Sequence, residues 1–237
     1  MKPFIRTGLA WSAVATILSA GIAAWAWNAL PATGDIPVHW GLDGRPDQFA
    51  PKAEVWNYLL MMPAALFLLS IILAIVPMMD PRKANIETSR KAYLATWIGT
   101  AILLTLVHAG ICVSMLQAGT DFVMPDEAVR FVIAGAALLM IVIGNYMPKT
   151  RSSFMFGVRT PWTLSSDHAW EKTHRLAGPL FMIAGALGIA GAFLFDGIWL
   201  ALQLTAWIFA AAIISVVYSY FAWKNAPDRD EGTGLTV

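Results

Sequence analysis

Six long apolar runs punctuate this chain, at about Leu9–Leu30, Tyr58–Met79, Tyr93–Leu116, Phe131–Met147, Leu176–Phe195 and Trp199–Trp223. Each falls in the range of about 17–25 residues that a helix needs to cross a bilayer. In lipid the backbone must satisfy its own hydrogen bonds, which a helix does within one segment. The pattern therefore predicts an all-α polytopic membrane protein, a bundle of six transmembrane helices. Lys2 and Arg6 precede the first run, and Ala24-Trp25-Ala26 offers a small-x-small step of the kind seen at signal cleavage sites. The run is longer than the roughly 7–15 residues of a signal core, so it reads as an uncleaved anchor.

The polar segments between the runs differ in kind. Loop one, Pro31 to Trp56, carries Pro31, Gly34, Pro37, Gly41, Gly44, Pro46 and Pro51. These forbid a regular helix and suggest a compact irregular structure or a short strand pair, with Asp43-Gly44 as a turn. Pro63 fits a first-turn position in the second span. Loop two, Asp80 to Lys91, is short and basic, and the loop from Gln117 to Arg130 is short and acidic. Loop four, Asn145 to Gly178, is the longest polar segment, and the tail from Lys224 to Val237 is polar with the composition of a disordered end.

Charge gives the six spans a direction. Lys2, Arg6, Arg82, Lys83, Arg90, Lys91, Lys149, Arg151, Arg159, Lys172, Arg175, Lys224 and Arg229 fall on one side, against Arg45, Lys52 and Arg130 on the other. The excess of Lys and Arg marks the cytoplasmic side, so both termini, loop two and loop four are expected there, and loop one outside. Trp27, Trp56, Tyr58, Tyr93, Tyr146, Trp199, Tyr220 and Trp223 stand at span ends, as interfacial aromatics do. The chain is 58% hydrophobic and 13% charged over 237 residues, with a net charge of +1. That leaves no basic field for nucleic acid. The single Cys112 lies in an apolar run and reads as a small packing residue.

Loop four holds most of the candidate chemistry. Gly157 permits a turn, Pro161 biases Thr160 toward extended backbone, and Ser165-Ser166-Asp167 can start a helix. A helix from about Ser166 to Leu176 would place Asp167, Trp170, Glu171 and His174 on one side, with Gly178-Pro179 bending the chain into the fifth span. Phe154-Met155-Phe156 would dip into the membrane interface. Asp167, Glu171 and His174 could make a metal site. An interfacial helix with Glu171 paired to Arg175 is the favoured reading, because the tight H-E-x-x-H form is missing. In loop one, His39, Asp43, Asp47 and Lys52 could meet in a recognition or metal-assisted site. The favoured alternative is a folded cap in which Asp47 pairs with Lys52. His108, inside the third span, is either functional or bonded to a neighbouring helix. Gly185, Gly188, Gly191 and Ala192 suggest that the fifth span packs closely on a neighbour.

The run FGVRTPWTLSSDHAWEKTHRLAG, preceded by GNYMPKTR, closely resembles the signature of the SdpI family. These are bacterial polytopic membrane proteins whose name-giving member is an immunity protein against a secreted killing peptide and takes part in signalling. The resemblance covers Asn145, Pro148, Lys149, Gly157, Arg159, Thr160, Pro161, Trp162, Thr163, Leu164, Ser165, Trp170, Thr173, His174, Arg175 and Gly178. One departure is Ser152-Ser153, where many relatives carry Pro-Asn. Pro37, His39, Trp40, Gly44, Asp47 and Lys52 are similar to a short domain of unknown function found ahead of SdpI-type segments. Together the two imply an N-terminal unit over 1–80, an SdpI-type unit over 90–223 and a tail over 224–237.

What the resemblance implies is immunity to, or sensing of, a membrane-active peptide toxin in a bacterial plasma membrane. Loop one would recognise a secreted peptide on the outer face. The motif loop, with Arg151 among its cations, would face a cytoplasmic protein or anionic lipid. Neither family supplies a catalytic residue, and no nucleophile elbow, zinc-protease helix or phosphate loop occurs, so no cofactor and no enzymatic chemistry are expected. A transporter, and an enzyme with a metal at loop four, remain the alternatives.

Overall fold

The computed structural model describes residues 2–41, 44–117 and 126–229. Its six long helices are α1 (Pro3–Ala29), α2 (Lys52–Met79), α4 (Arg90–Gln117), α5 (Asp126–Tyr146), α7 (Asp167–Leu194) and α8 (Gly197–Lys224). All six are long and apolar enough to cross a membrane, as expected, and the chain is a multi-pass membrane protein. Two short helices, α3 (Lys83–Thr88) and α6 (Pro161–Ser165), lie in loops two and four. Ile17, Leu18, Phe67, Leu68, Leu106, Phe209 and Ile213 stay exposed on the bundle's outside, where lipid rather than water would meet them.

The spans pack as two groups of three: α1 sits against α2 and α4, α7 against α5 and α8, and α4 meets α5 between them. Hydroxyls and small residues set the contacts. Ser12 Oγ accepts from Trp97 Nε1 at 2.7 Å, and Ser19 Oγ lies 2.6 Å from His108 Nδ1, so α1 and α4 are tied twice inside the bundle. His108 is thus bonded to a neighbouring span, the plainer of its two expected roles. The close packing expected of α7 is also present. A Cβ on Gly185 would lie 2.5 Å from the Ala137 carbonyl of α5, and one on Gly188 2.5 Å from Leu204 of α8.

At one end, loop one forms the strand pair it suggested: β1 (Asp35–Trp40) runs antiparallel to β2 (Pro46–Pro51). Ile36 and Ala50 turn inward and pack with Ala26, Leu30, Val55, Leu59, Cys112 and Met115. The hairpin therefore plugs the ends of α1, α2 and α4. The expected Asp43 turn lies outside the described residues. At the opposite end, Lys2 pairs with Glu87 of α3 at 2.7 Å. The N-terminus, loop two, loop four and the tail gather there.

Some boundaries move. Helix α2 begins at Lys52, so Pro63 lies in its interior rather than its first turn. In a packed span, neighbours can satisfy the carbonyl that a proline frees. Helix α7 runs unbroken through Gly178-Pro179, so the short helix and the fifth span are one element. Tyr93 is 3% exposed and donates to the Leu73 carbonyl at 2.7 Å, so it belongs to the core and not to an interfacial belt. The first residues of the tail are not loose: Ala226 is buried and Asp228 is bonded. Residues 230–237 lie outside those described.

Candidate functional site

Loop four is a folded plate, built from local turns and then fastened to every element near it. Helix α5 ends at Tyr146, and a single 3₁₀ turn, Met147–Lys149, follows. Here α5 and α7 cross backbone to backbone: a Cβ on Gly178 would sit 2.7 Å from the Gly144 carbonyl. The chain then crosses to the first helical group. Asp80, fully buried at the end of α2, receives it. The Asp80 carboxylate accepts from Ser153 Oγ at 2.6 Å, from the Met155 amide at 3.0 Å and from the Arg82 amide at 2.7 Å. The Arg82 guanidinium bonds Ser152 Oγ and the Leu164 carbonyl, and covers the Phe154 ring at 5.2 Å. Asn85 Nδ2 donates to the Ser152 carbonyl at 2.8 Å, and the Arg151 amide donates to Ser89 Oγ at 2.9 Å.

Ser152-Ser153, the departure from the family pattern, is thus the face that loop two grips. Asp80, Arg82, Asn85 and Ser89 are partners that local pattern did not single out. The sign of them in the chain is a carboxylate placed directly after an apolar run, where it must find donors or stay in water. Phe156, from the apolar patch Phe154-Met155-Phe156, is half-buried and packs its ring on Tyr93, with centroids 5.7 Å apart.

The centre of the plate is Gly157, Trp170 and His174. Trp170 and His174 are 2% and 0% exposed, and their rings stack at 4.0 Å. His174 Nδ1 lies 2.9 Å from the Trp170 carbonyl, which can only accept, so Nδ1 carries the hydrogen. Nε2 is then free to accept from the Val158 amide at 2.9 Å. The neutral ring satisfies both neighbours and is a structural bridge from helix to loop. Trp170 Nε1 donates to the Thr150 carbonyl at 3.1 Å. Gly157 has a φ of +110°, and a Cβ there would meet His174 Nε2 at 2.6 Å.

The Arg159-Thr160-Pro161-Trp162-Thr163 run is a capping device. Thr160 is extended, as its following proline demands, and it exchanges side-chain-to-amide bonds with Thr163. Thr160 Oγ1 also meets Ser219 of α8 at 3.0 Å, and Trp162 packs on Tyr220. Ser166 caps α7 by accepting from the Ala169 amide at 2.9 Å.

These contacts sort the candidate residues. Thr160, Thr163, Trp170, Thr173 and His174 are buried. Asn145, Lys149, Arg151, Arg159, Pro161 and Arg175 face outward, and Trp162 is half-buried. Lys149 lies over Tyr146, Arg159 donates to the Phe154 carbonyl, and Arg175 pairs with Glu171 at 3.4 Å as the helical spacing suggested. The grouping of Asp167 and Glu171 with His174 does not form. Their carboxylates are 82% and 59% exposed while the imidazole is enclosed. Among the described residues there is no cluster of three metal-ligating His, Cys, Asp or Glu side chains.

At the other end, Asp47 pairs with His39 at 2.5 Å, not with Lys52. Cross-strand pairing brings His39 opposite Gln48, next to Asp47, which linear spacing does not reveal. Lys52 instead donates to the Leu30 carbonyl at 2.6 Å, closing the C-terminus of α1, and covers the Trp27 ring. Pro37 is buried, Trp40 and Gly44 are half-buried, and His39 and Asp47 are exposed.

The loop-four bridge has a measurable weight. His174→Ala leaves the half-buried Val158 amide without an acceptor, a loss of about 1 kcal/mol. His174→Gln, which keeps a donor and an acceptor on a flexible stem, is expected to recover part of it. Thermal unfolding of the purified protein would show the order wild type, Gln, Ala; equal midpoints for wild type and Ala would remove His174 from the framework.

Comparison with known proteins places the plate. Residues 149–220 match the model of the SdpI/YfhL protein family, and residues 14–67 match a domain of unknown function, DUF1648. The immunity protein SdpI of Bacillus subtilis (strain 168) is 30% identical over 91 residues, which cover 38% of this chain and 44% of that protein. The chain thus matches less than half the length of this curated relative. No solved structure matches.

Proposed function

We propose that this multi-pass membrane protein, whose residues 149–220 match the SdpI/YfhL family model and whose residues 14–67 match DUF1648, protects a bacterial plasma membrane against a membrane-active peptide or senses one there. The observation that carries the reading is the likeness to an immunity protein, 30% identical over 91 residues, beside the family match over residues 149–220. The distribution of Lys and Arg supports an orientation with the plate end in the cytoplasm and the hairpin outside. In that orientation the exposed His39–Asp47 pair and the half-buried Trp40 stand at the outer rim, where a secreted peptide would arrive. The exposed cations Lys149, Arg151, Arg159 and Arg175 face the cytoplasm and suit a partner protein or anionic lipid.

The test is a challenge assay. A bacterium made sensitive by loss of its own immunity protein is given this chain and exposed to secreted killing peptides. Restored growth is expected. His39→Ala with Asp47→Asn should lower protection while the amount of protein in the membrane is unchanged. No growth advantage over an empty vector, with the protein present in the membrane, would sink the reading.

A further inference from the structure

Three polar groups meet among the apolar side chains of α1, α2 and α4. Ser19 of α1 and His108 of α4 are 0% and 3% exposed, and Ser19 Oγ lies 2.6 Å from His108 Nδ1. His108 Nε2 is also enclosed, and among the described residues it has no hydrogen-bond partner of ordinary geometry. The backbone acceptor beside the ring is the Leu59 carbonyl of α2. In an unbroken helix that carbonyl would accept from the amide four positions on. Here that residue is Pro63, buried in the interior of α2, and a proline has no N–H to give. A carbonyl freed within a membrane span needs a donor from a neighbouring helix.

Counting hydrogens decides how the ring is protonated. A neutral imidazole has one N–H and one accepting nitrogen. Ser70 and Ser215 spend their hydroxyl hydrogens on carbonyls of their own helices. Among the described residues Ser19 makes no such bond, so its hydrogen is available to Nδ1. Nδ1 then accepts, and the N–H falls to Nε2, the nitrogen left to meet the Leu59 carbonyl. The opposite tautomer would turn Nδ1–H to Ser19 and set a lone pair on Nε2 against a carbonyl oxygen. Two buried acceptors would then share no hydrogen, which is costly where neither reaches water.

We propose that His108 is the positioning residue of the β1–β2 hairpin: held by Ser19 as the Nε2–H tautomer, it donates to the Leu59 carbonyl that Pro63 frees, and so ties α1, α4 and α2 together beneath the hairpin. Helical spacing sets the level. Ala23 follows Ser19 by about one turn, and Cys112 follows His108 by about one turn. Both belong, with Leu59, Ile36 and Ala50, to the cluster that seats the hairpin. The polar node is the floor of that seat. Ser19, Leu59, Pro63 and the hairpin all fall within residues 14–67, the stretch that matches DUF1648, while His108 lies outside both matched stretches. A side chain from the intervening helix therefore completes a polar contact that the matched stretch leaves open. The inference is independent of the immunity reading, because it concerns bonds within the chain.

The test uses the full chain in nanodiscs. Nitrogen NMR of the histidine rings, with the His108 signals assigned by their loss in His108→Leu, is expected to show Nε2 protonated and Nδ1 bare at neutral pH. Amide exchange then reads the seat. His108→Leu is expected to speed exchange across residues 47–50 by about tenfold, the worth of one or two hydrogen bonds. The Val158 amide in loop four should keep its wild-type rate. Pro63→Ala returns an amide to α2 that can bond the Leu59 carbonyl, so in that background His108→Leu should speed the hairpin much less. A protonated Nδ1 in the wild type would overturn the proposal, and that measurement does not depend on any variant folding. So would equal acceleration from His108→Leu with and without Pro63→Ala, or a hairpin that exchanges at the wild-type rate in His108→Leu.

Discussion

Asp80→Ala is expected to free loop four from loop two and to cost about 3–5 kcal/mol, the scale of removing one partner from a buried charged network. The carboxylate is fully buried, and three donors converge on it. Taking it away strands the Arg82 amide and the Ser153 hydroxyl, and leaves the Met155 amide only its longer bond to Ser153 Oγ at 3.2 Å. It also loosens the Asp80–Arg82 turn that aims the guanidinium at Ser152 and Leu164. Asp80→Asn should fall between, since an amide oxygen still accepts but its NH₂ faces donors. The measurement is exchange of the Met155 amide beside thermal unfolding in detergent. If Met155 stays as protected in Asp80→Ala as in wild type, Asp80 serves only to mark the end of a span.

Gly157→Ala should be almost as damaging, for a different reason. A non-glycine residue at φ +110° carries backbone strain of about 1–3 kcal/mol. The new methyl would also lie 2.6 Å from His174 Nε2 and 2.8 Å from Trp170, both packed from all sides, which adds about 1–3 kcal/mol of overpacking. The two parts can be separated. In a His174→Ala background the clash with the imidazole is relieved while the strain and the contact with Trp170 remain, so the double variant should lose less than the sum of the singles. Strict additivity would show that the methyl does not press on the imidazole.

The spans were legible because crossing a membrane leaves a coarse mark: a run of apolar residues long enough to be a helix. Local chemistry was legible too. Thr160 is extended before Pro161, Ser166 caps a helix, and Gly157 sits at a positive φ. Two things did not show. Gly178-Pro179 reads as a bend between a short helix and the fifth span, yet α5 and α7 press together there and a single helix runs through. The grip of loop two on loop four was hidden for a simpler reason. Its bonds join residues about seventy positions apart, and local spacing carries no trace of such a pair. His39 and Asp47 were among the loop-one residues expected to meet, but strand register pairs Asp47 with His39 and not with Lys52.

The burial of Asp80 has a consequence for how the protein is made. Its donors Ser153 and Met155 lie 73 and 75 residues downstream. When α1, α2 and α4 have emerged from the ribosome and the hairpin has closed their far end, Asp80 has no partner but water and its own turn. It becomes dry only after α5 has been inserted and the motif loop has returned to it. A chain halted before that point carries a wet carboxylate on an unfinished face, so the bonds that Asp80 makes are also a record that the second half arrived.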